Sequence, residues 1–249
     1  MNTLYKYILR IADDSLILGQ RQSEMCGHGP ILEEDIAQTN IALDLIGQAT
    51  ALYEYAATFT NGEKSSDDIA FLRFDREYSN LLLVEQPNGD FGQTIVRNWI
   101  FDTFRVLFFE ELTKSKDTQL AAIAEKSLKE TRYHWKHSSE WLIRLGDGTE
   151  ESHNRTQDAL NRLWKYSDEV FYMDEIEKEL IEQGIAVDLN TIRQKFIDKI
   201  NYVLSESTLT LPTNEWRQSG GRIGKHTEHL GFILAEMQYM QRAYPGMEW

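Results

Sequence analysis

A single cysteine, Cys26, stands in a chain of 249 residues. No disulfide framework can be built from it, and a reducing, cytoplasmic setting is expected. Basic residues are also scarce: 26 Lys and Arg against 40 Asp and Glu leave a formal net charge of −14. A field of that sign repels phosphate backbones and anionic lipid, so neither nucleic acid nor a membrane surface is an expected partner. No apolar run reaches the roughly 18 residues of a membrane span, and no basic segment leads into an apolar one at the start. Neither a span nor a signal peptide is expected. Only four prolines occur. Pro30, Pro87, Pro212 and Pro245 fall between apolar-periodic segments. Proline inside a helix removes a hydrogen bond and clashes with the preceding turn, so the long proline-free stretches favour helices.

Those stretches carry helical spacing of apolar residues. Helices are predicted over 3–23, 31–59, 91–112, 117–145, 150–171, 189–205 and 225–244. The segment 91–112 is apolar on most sides (Ile95, Val96, Trp99, Ile100, Phe104, Leu107), as suits the middle of a bundle. Thr149 and Asp188 read as helix caps. Residues 63–68 read as a charged loop. Leu81-Leu82-Leu83-Val84 has the composition of a buried strand, but no alternating segment lies near to pair with it. The fold predicted is all-α: an up-and-down four-helix bundle with further C-terminal helices, in one domain over 1–249.

The residues that invite chemistry are acids inside apolar runs. Asp44 lies within Ile41–Gly47 and Asp102 within Trp99–Phe104. Ionised carboxylates stay out of cores unless paired or bound to metal. Ion pairs to Arg105, one turn on, or to Arg132 on the next helix would serve, as would a metal pair. Glu130, His134, His137 and Trp141 form one helix stripe. It reads either as metal ligands or as a satisfied polar seam. A dimetal carboxylate bundle needs a Glu from each of two helices and Glu-x-x-His from two others. An active site here would have to draw on Asp14, Asp44, Asp102, Glu130, His134 and His137. The pattern is broken: Asp44-x-x-Gly47 has glycine in the histidine place, and Glu130-x-x-Tyr133 has tyrosine. His134 comes one residue late, which turns it by about 100° around the helix. The strict match, Glu150-x-x-His153, lies in a first turn and is expected at the surface. His226 and His229, with Glu228 between them, are a weaker metal candidate. Gly220 to Lys225 precedes a helix, and Arg222 and Lys225 there are candidates for holding an anion. Cys26 is expected to be buried.

Several stretches closely resemble the C subunits of bacterial phenylacetyl-CoA 1,2-epoxidase, the multicomponent ring-epoxidising oxygenase of aerobic phenylacetate breakdown. They include Glu24-Met25-Cys26-Gly27-His28, Leu43 to Ala49, Tyr78 to Gly89 with its Leu-Leu-Leu-Val-Glu-Gln-Pro-Asn-Gly run, Lys129 to His134, Glu182 to Val187 and His226 to Gly231. The resemblance implies a ferritin-like bundle whose degenerate di-iron positions are Asp44, Gly47, Asp102, Glu130, Tyr133 and His134. It implies no cofactor in this subunit, with the di-iron centre in a catalytic A subunit that this chain binds and stabilises. The B, D and reductase E components complete the complex, with a homodimer expected when the chain is alone. Contact with the phenylacetyl-CoA ester is implied for Glu77, Tyr78, Ser79 and Asn80 and for Lys178, Glu179 and Leu180, although Glu77 would repel a CoA phosphate.

Overall fold

The computed structural model describes residues 2–213 and 216–247. Ten α-helices follow one another along them: α1 (Thr3–Ser23), α2 (Leu32–Ala57), α3 (Ser66–Phe71), α4 (Phe91–Leu112), α5 (Thr118–Gly146), α6 (Glu150–Leu163), α7 (Glu175–Glu182), α8 (Asn190–Ser207), α9 (Glu228–Met237) and α10 (Tyr239–Ala243). Short 3-10 turns interleave them, and no β-strand occurs among the described residues. By their contacts they form two compact units. One comprises Met1–Gln86 with Gly220–Trp249, the other Pro87–Ser219.

The first unit is built on the α1–α2 hairpin. The two helices pack closely enough that a Cβ on Gly19 would lie 3.1 Å from Ile46 Cγ1. Their turn is closed by Asp35 Oδ1, which accepts from the amides of Gly27 at 2.8 Å and Gly29 at 3.1 Å. Helix α1 is buried on nearly all sides, although it carries Arg10, Asp13, Asp14, Arg21 and Gln22. Residues 63–68 are not wholly a loop. Ser65 and Asp68 cap each other's backbone amides in a capping box, and α3 starts there. Leu81 to Val84 is buried but forms turns rather than a strand. The last predicted helix begins later, at Glu228, and breaks at Gln238.

The second unit is built on the α4–α5 hairpin, with α6 and α8 against both helices. Asp90 and Asp117 cap α4 and α5 by accepting from the amides of Gln93 and Leu120. Helix α4 is buried all round, as its composition requires. It holds even Arg105, whose guanidinium lies over the rings of Phe109 at 4.3 Å and Phe101 at 5.5 Å. Thr149 caps α6 through the amide of Ser152, and the predicted helix over 150–171 tightens into a 3-10 turn from Trp164. Helix α7, only 8 residues long, is set by the Asp174–Glu177 capping box. The two long hairpins are the helix pairs that a ferritin-like four-helix bundle requires.

Candidate functional site

Among the described residues two buried polar centres stand out, one in each unit. In the first, consecutive aspartates on α1 reach the irregular segment that follows α3. Asp13 accepts from Tyr53 Oη at 2.6 Å, from Arg73 Nη1 at 3.1 Å and from the amide of Ser79 at 2.8 Å. Asp14 accepts from the amide of Leu81 at 2.8 Å and is gripped by Arg222 at 2.8 and 3.0 Å. Arg222 also donates to the carbonyls of Ser79 and Arg10. A buried non-helical backbone needs partners for its amides and carbonyls, and these side chains supply them.

Glu85 ends the segment and is completely buried. One carboxylate oxygen accepts from the Thr227 amide at 2.6 Å and hydroxyl at 2.7 Å. The other faces Asn80 Nδ2 and His226 Nδ1, each at 2.9 Å. The far nitrogen of His226 lies 3.0 Å from the carbonyl of Tyr78. Both neighbours of the ring are acceptors, so the ring needs both protons. Burial opposes its charge, but the bond to Glu85, the charges of Glu85 and Asp13 and the Tyr78 carbonyl outweigh burial. The imidazole is thereby raised above its ordinary value. Burial also pushes the Tyr53 hydroxyl well up and that of Tyr78 up to about 12, so both remain hydrogen-bond donors.

In the second unit the centre is Asp102 on α4. Its carboxylate accepts from Ser138 Oγ of α5 at 2.8 Å. Burial raises its pKa to about 6, against the opposing pull of His134, the Ser138 hydrogen bond, His137 and Arg97. His134 is likewise buried.

These placements revise several expectations. Arg132 does not serve Asp102; it lies 3.4 Å from Glu110 at the surface. Asp44 and Glu130 are only half-buried, and Gly47 and Tyr133 are exposed. A Cβ on Gly47 would meet nothing within 4 Å. Of the six positions that the resemblance implies as degenerate di-iron positions, only Asp102 and His134 are interior. The physical reason is that α2 carries apolar residues on its outward face as well as its inward one. Apolar sequence neighbours therefore do not mark Asp44 as buried. Arg222 is not an anion cradle, because Asp14 and two carbonyls occupy its donors. Lys225 is exposed, and His226 is tied to Glu85. Cys26 is exposed rather than buried. His153 Nδ1 lies 2.7 Å from the Gly146 carbonyl at the start of α6.

Among the residues assigned to CoA contact, Tyr78 and Asn80 are fully buried, and Leu180 is buried too. Ser79 is half-buried. Glu77, Lys178 and Glu179 are exposed, with Lys178 paired to Glu175 at 2.8 Å. Among the described residues no group of three or more His, Cys, Asp or Glu side chains is placed to hold a metal ion. Asp13, Glu85 and Arg73 were not singled out from the sequence. The Leu-Leu-Leu-Val run was their one signal, since a buried strand without a partner strand requires side chains to satisfy its backbone.

Comparison with known proteins now gives these centres a family. The model described as phenylacetic acid catabolic protein matches residues 1–249, and the chain belongs to that family. Over 249 residues, all of this chain and all of the relative's length, it is 49% identical to the C subunit of the 1,2-phenylacetyl-CoA epoxidase of Escherichia coli strain K12.

Proposed function

We propose that this chain is a non-catalytic subunit of a phenylacetyl-CoA 1,2-epoxidase. In this role it binds the di-iron A subunit and stabilises its fold, alongside the B, D and E components. The observation that carries the reading is the full-length, 49% match to the C subunit of an epoxidase. The side chains support it. Asp13, Asp14, Glu85 and Asp102 are committed to side-chain and backbone partners, and the two positions where a second imidazole belongs, Gly47 and Tyr133, are exposed.

In such a subunit no bond of the substrate is made or broken. Its own residues do the work of holding shape: Asp14 and Arg222 fix the segment from Ser79 to Leu81, and Glu85 and His226 fix its end. A rigid surface binds only the folded partner and so stabilises it by mass action. The test is co-expression of the full chain with the A subunit in iron-rich medium, followed by purification and elemental analysis of each. The expected result is a complex in which this chain, once separated, carries well under one iron. A stoichiometry near two irons on this chain, with oxygen consumption in the absence of the A subunit, would instead make it an oxygenase in its own right. Failure to co-purify would remove it from the complex.

A further inference from the structure

The pair Asn-Gly occurs twice in the chain, at 61–62 and 88–89, and the two copies stand in opposite settings. Asn61 follows the 3-10 turn Thr58–Thr60 at the end of α2. It takes left-handed angles, φ 55° and ψ 28°, which asparagine tolerates. Gly62 continues with φ +83°, and a Cβ there would meet nothing within 4 Å. Both residues are exposed, as are Glu63, Lys64 and Ser65 after them. Among the described residues no hydrogen bond holds the Gly62 amide or the Asn61 side chain. The bend is closed at the surface. The Glu63 amide donates to the Thr60 carbonyl at 3.1 Å, and Thr60 Oγ1 donates to the Lys64 carbonyl at 3.1 Å. Backbone held by so few surface bonds opens locally at low cost. At the second pair, Gly89 also has a positive φ, +60°, but the Gln93 side chain lies 2.8 Å from where its Cβ would stand. Gln93 Nε2 donates to the Pro87 carbonyl at 2.9 Å, and Thr94 Oγ1 to the Asn88 carbonyl at 3.0 Å. The Asn88 side-chain oxygen is buried. Any turning of Asn88 breaks these bonds.

An exposed asparagine followed by glycine carries its own nucleophile. The glycine amide nitrogen, once it gives up its proton, can reach the side-chain carbonyl carbon, and no Cβ stands in the way. We propose that Asn61 is a site of covalent modification in the folded protein, by deamidation through a succinimide. The Gly62 nitrogen bonds to Asn61 Cγ. The Cγ–Nδ2 bond breaks, and ammonia leaves with the proton that the amide gave up. Water then opens the ring. Attack at Cγ yields aspartate, and attack at the main-chain carbonyl yields isoaspartate, with Cβ inserted into the backbone. Water is the sole co-reactant, and no redox change occurs. Either product adds a carboxylate to a chain already at −14. The last turn of α2 holds no basic residue. A negative charge at a helix C-terminus is repelled by the carbonyls there, so the product loosens the end of α2.

The test is incubation of the purified full-length chain in mildly alkaline buffer, once folded and once in concentrated urea. Tryptic peptides 22–64 and 77–97 carry the two pairs. Tandem mass spectrometry reads the gain of one dalton at each asparagine. Methyl transfer from S-adenosylmethionine by an isoaspartate methyltransferase reads the rearranged product. In the folded chain Asn61 is expected to convert at least about tenfold faster than Asn88, because its bend alone opens without unfolding the surrounding structure. In urea the two rates are expected to converge, since the fold no longer separates them. Asn61→Gln is expected to remove most of the methyl acceptance that the folded wild type gains. If Asn88 converts as fast as Asn61 in the folded chain, the two settings do not differ and the proposal is overturned. It is overturned equally if Asn61 stays intact in the folded chain while converting in urea, because the bend would then protect it.

Discussion

Asp44 and Asp102 look alike in sequence, each an acid among apolar neighbours, yet only Asp102 is interior. The difference is invisible to a local pattern because it depends on which face of the helix meets other elements. For Asp102 the energetics follow from its raised pKa. A rise from 3.8 to about 6 means that folding disfavours the ionised form by about 3 kcal/mol. The folded state binds more protons than the unfolded state between those values, so this penalty is absent below about pH 4. It grows as pH rises through 6 and stays constant above. Asp102→Asn removes the charge and keeps an oxygen for Ser138 Oγ. Allowing about 1 kcal/mol for a weaker hydrogen bond, the variant is expected to be about 2 kcal/mol more stable than wild type at pH 7.5. At pH 4 it is expected to be no more stable. Urea denaturation at the two pH values checks this. A variant less stable at pH 7.5 would show that the Asp102 carboxylate is needed as an anion.

At the scale of elements, the long helices were legible because their periodicity is strong and proline is confined to the joints. The short helices α3 and α7 were not. Their capping boxes involve Ser65 with Asp68 and Asp174 with Glu177, and at 6 and 8 residues the helices are too short to establish a period. The segment from Tyr78 to Gln86 was only half legible: its burial was plain from composition, its shape was not. No local rule places Asp13, Asp14 and Arg222 around it, since Asp14 and Arg222 lie 208 residues apart in the chain. The contact between Glu85 and His226 makes this element sensitive to pH. His226 is raised above 6.5 in the fold, so its stabilising contribution is complete below 6.5 and is lost as pH climbs past the folded value. His226→Asn is therefore expected to cost most stability near pH 6, with the gap to wild type narrowing toward pH 9. Nitrogen NMR of the wild-type ring should show both nitrogens protonated at pH 6.5. A single protonated nitrogen there would contradict the two-acceptor geometry.

The molecule as a whole has a topology that periodicity could not reveal. Helix type is local information, whereas the return of residues 220–247 to the first 86 is not. That return closes a long chain loop and places its reward in a few buried pairs. A chain ending at Ser219 loses Arg222 from Asp14 and His226 and Thr227 from Glu85. It leaves two carboxylates, each under 2% exposed in the full chain, without their strongest donors. Breaking one buried pair costs about 3–5 kcal/mol, and for chains of this size each 1 kcal/mol moves the midpoint by about 2–4 °C. The truncated chain is thus expected to melt at least about 12 °C below the full chain, with a loss of helix signal. Because much of that cost is the stranded charge, Asp14→Asn in the truncated chain is expected to recover part of the loss. The same substitution in the full chain is expected to destabilise it, as coupled sites require. Thermal melts of the four proteins decide it: a truncated chain melting within a few degrees of the full one would show that the C-terminal segment lies on the first unit without holding it together.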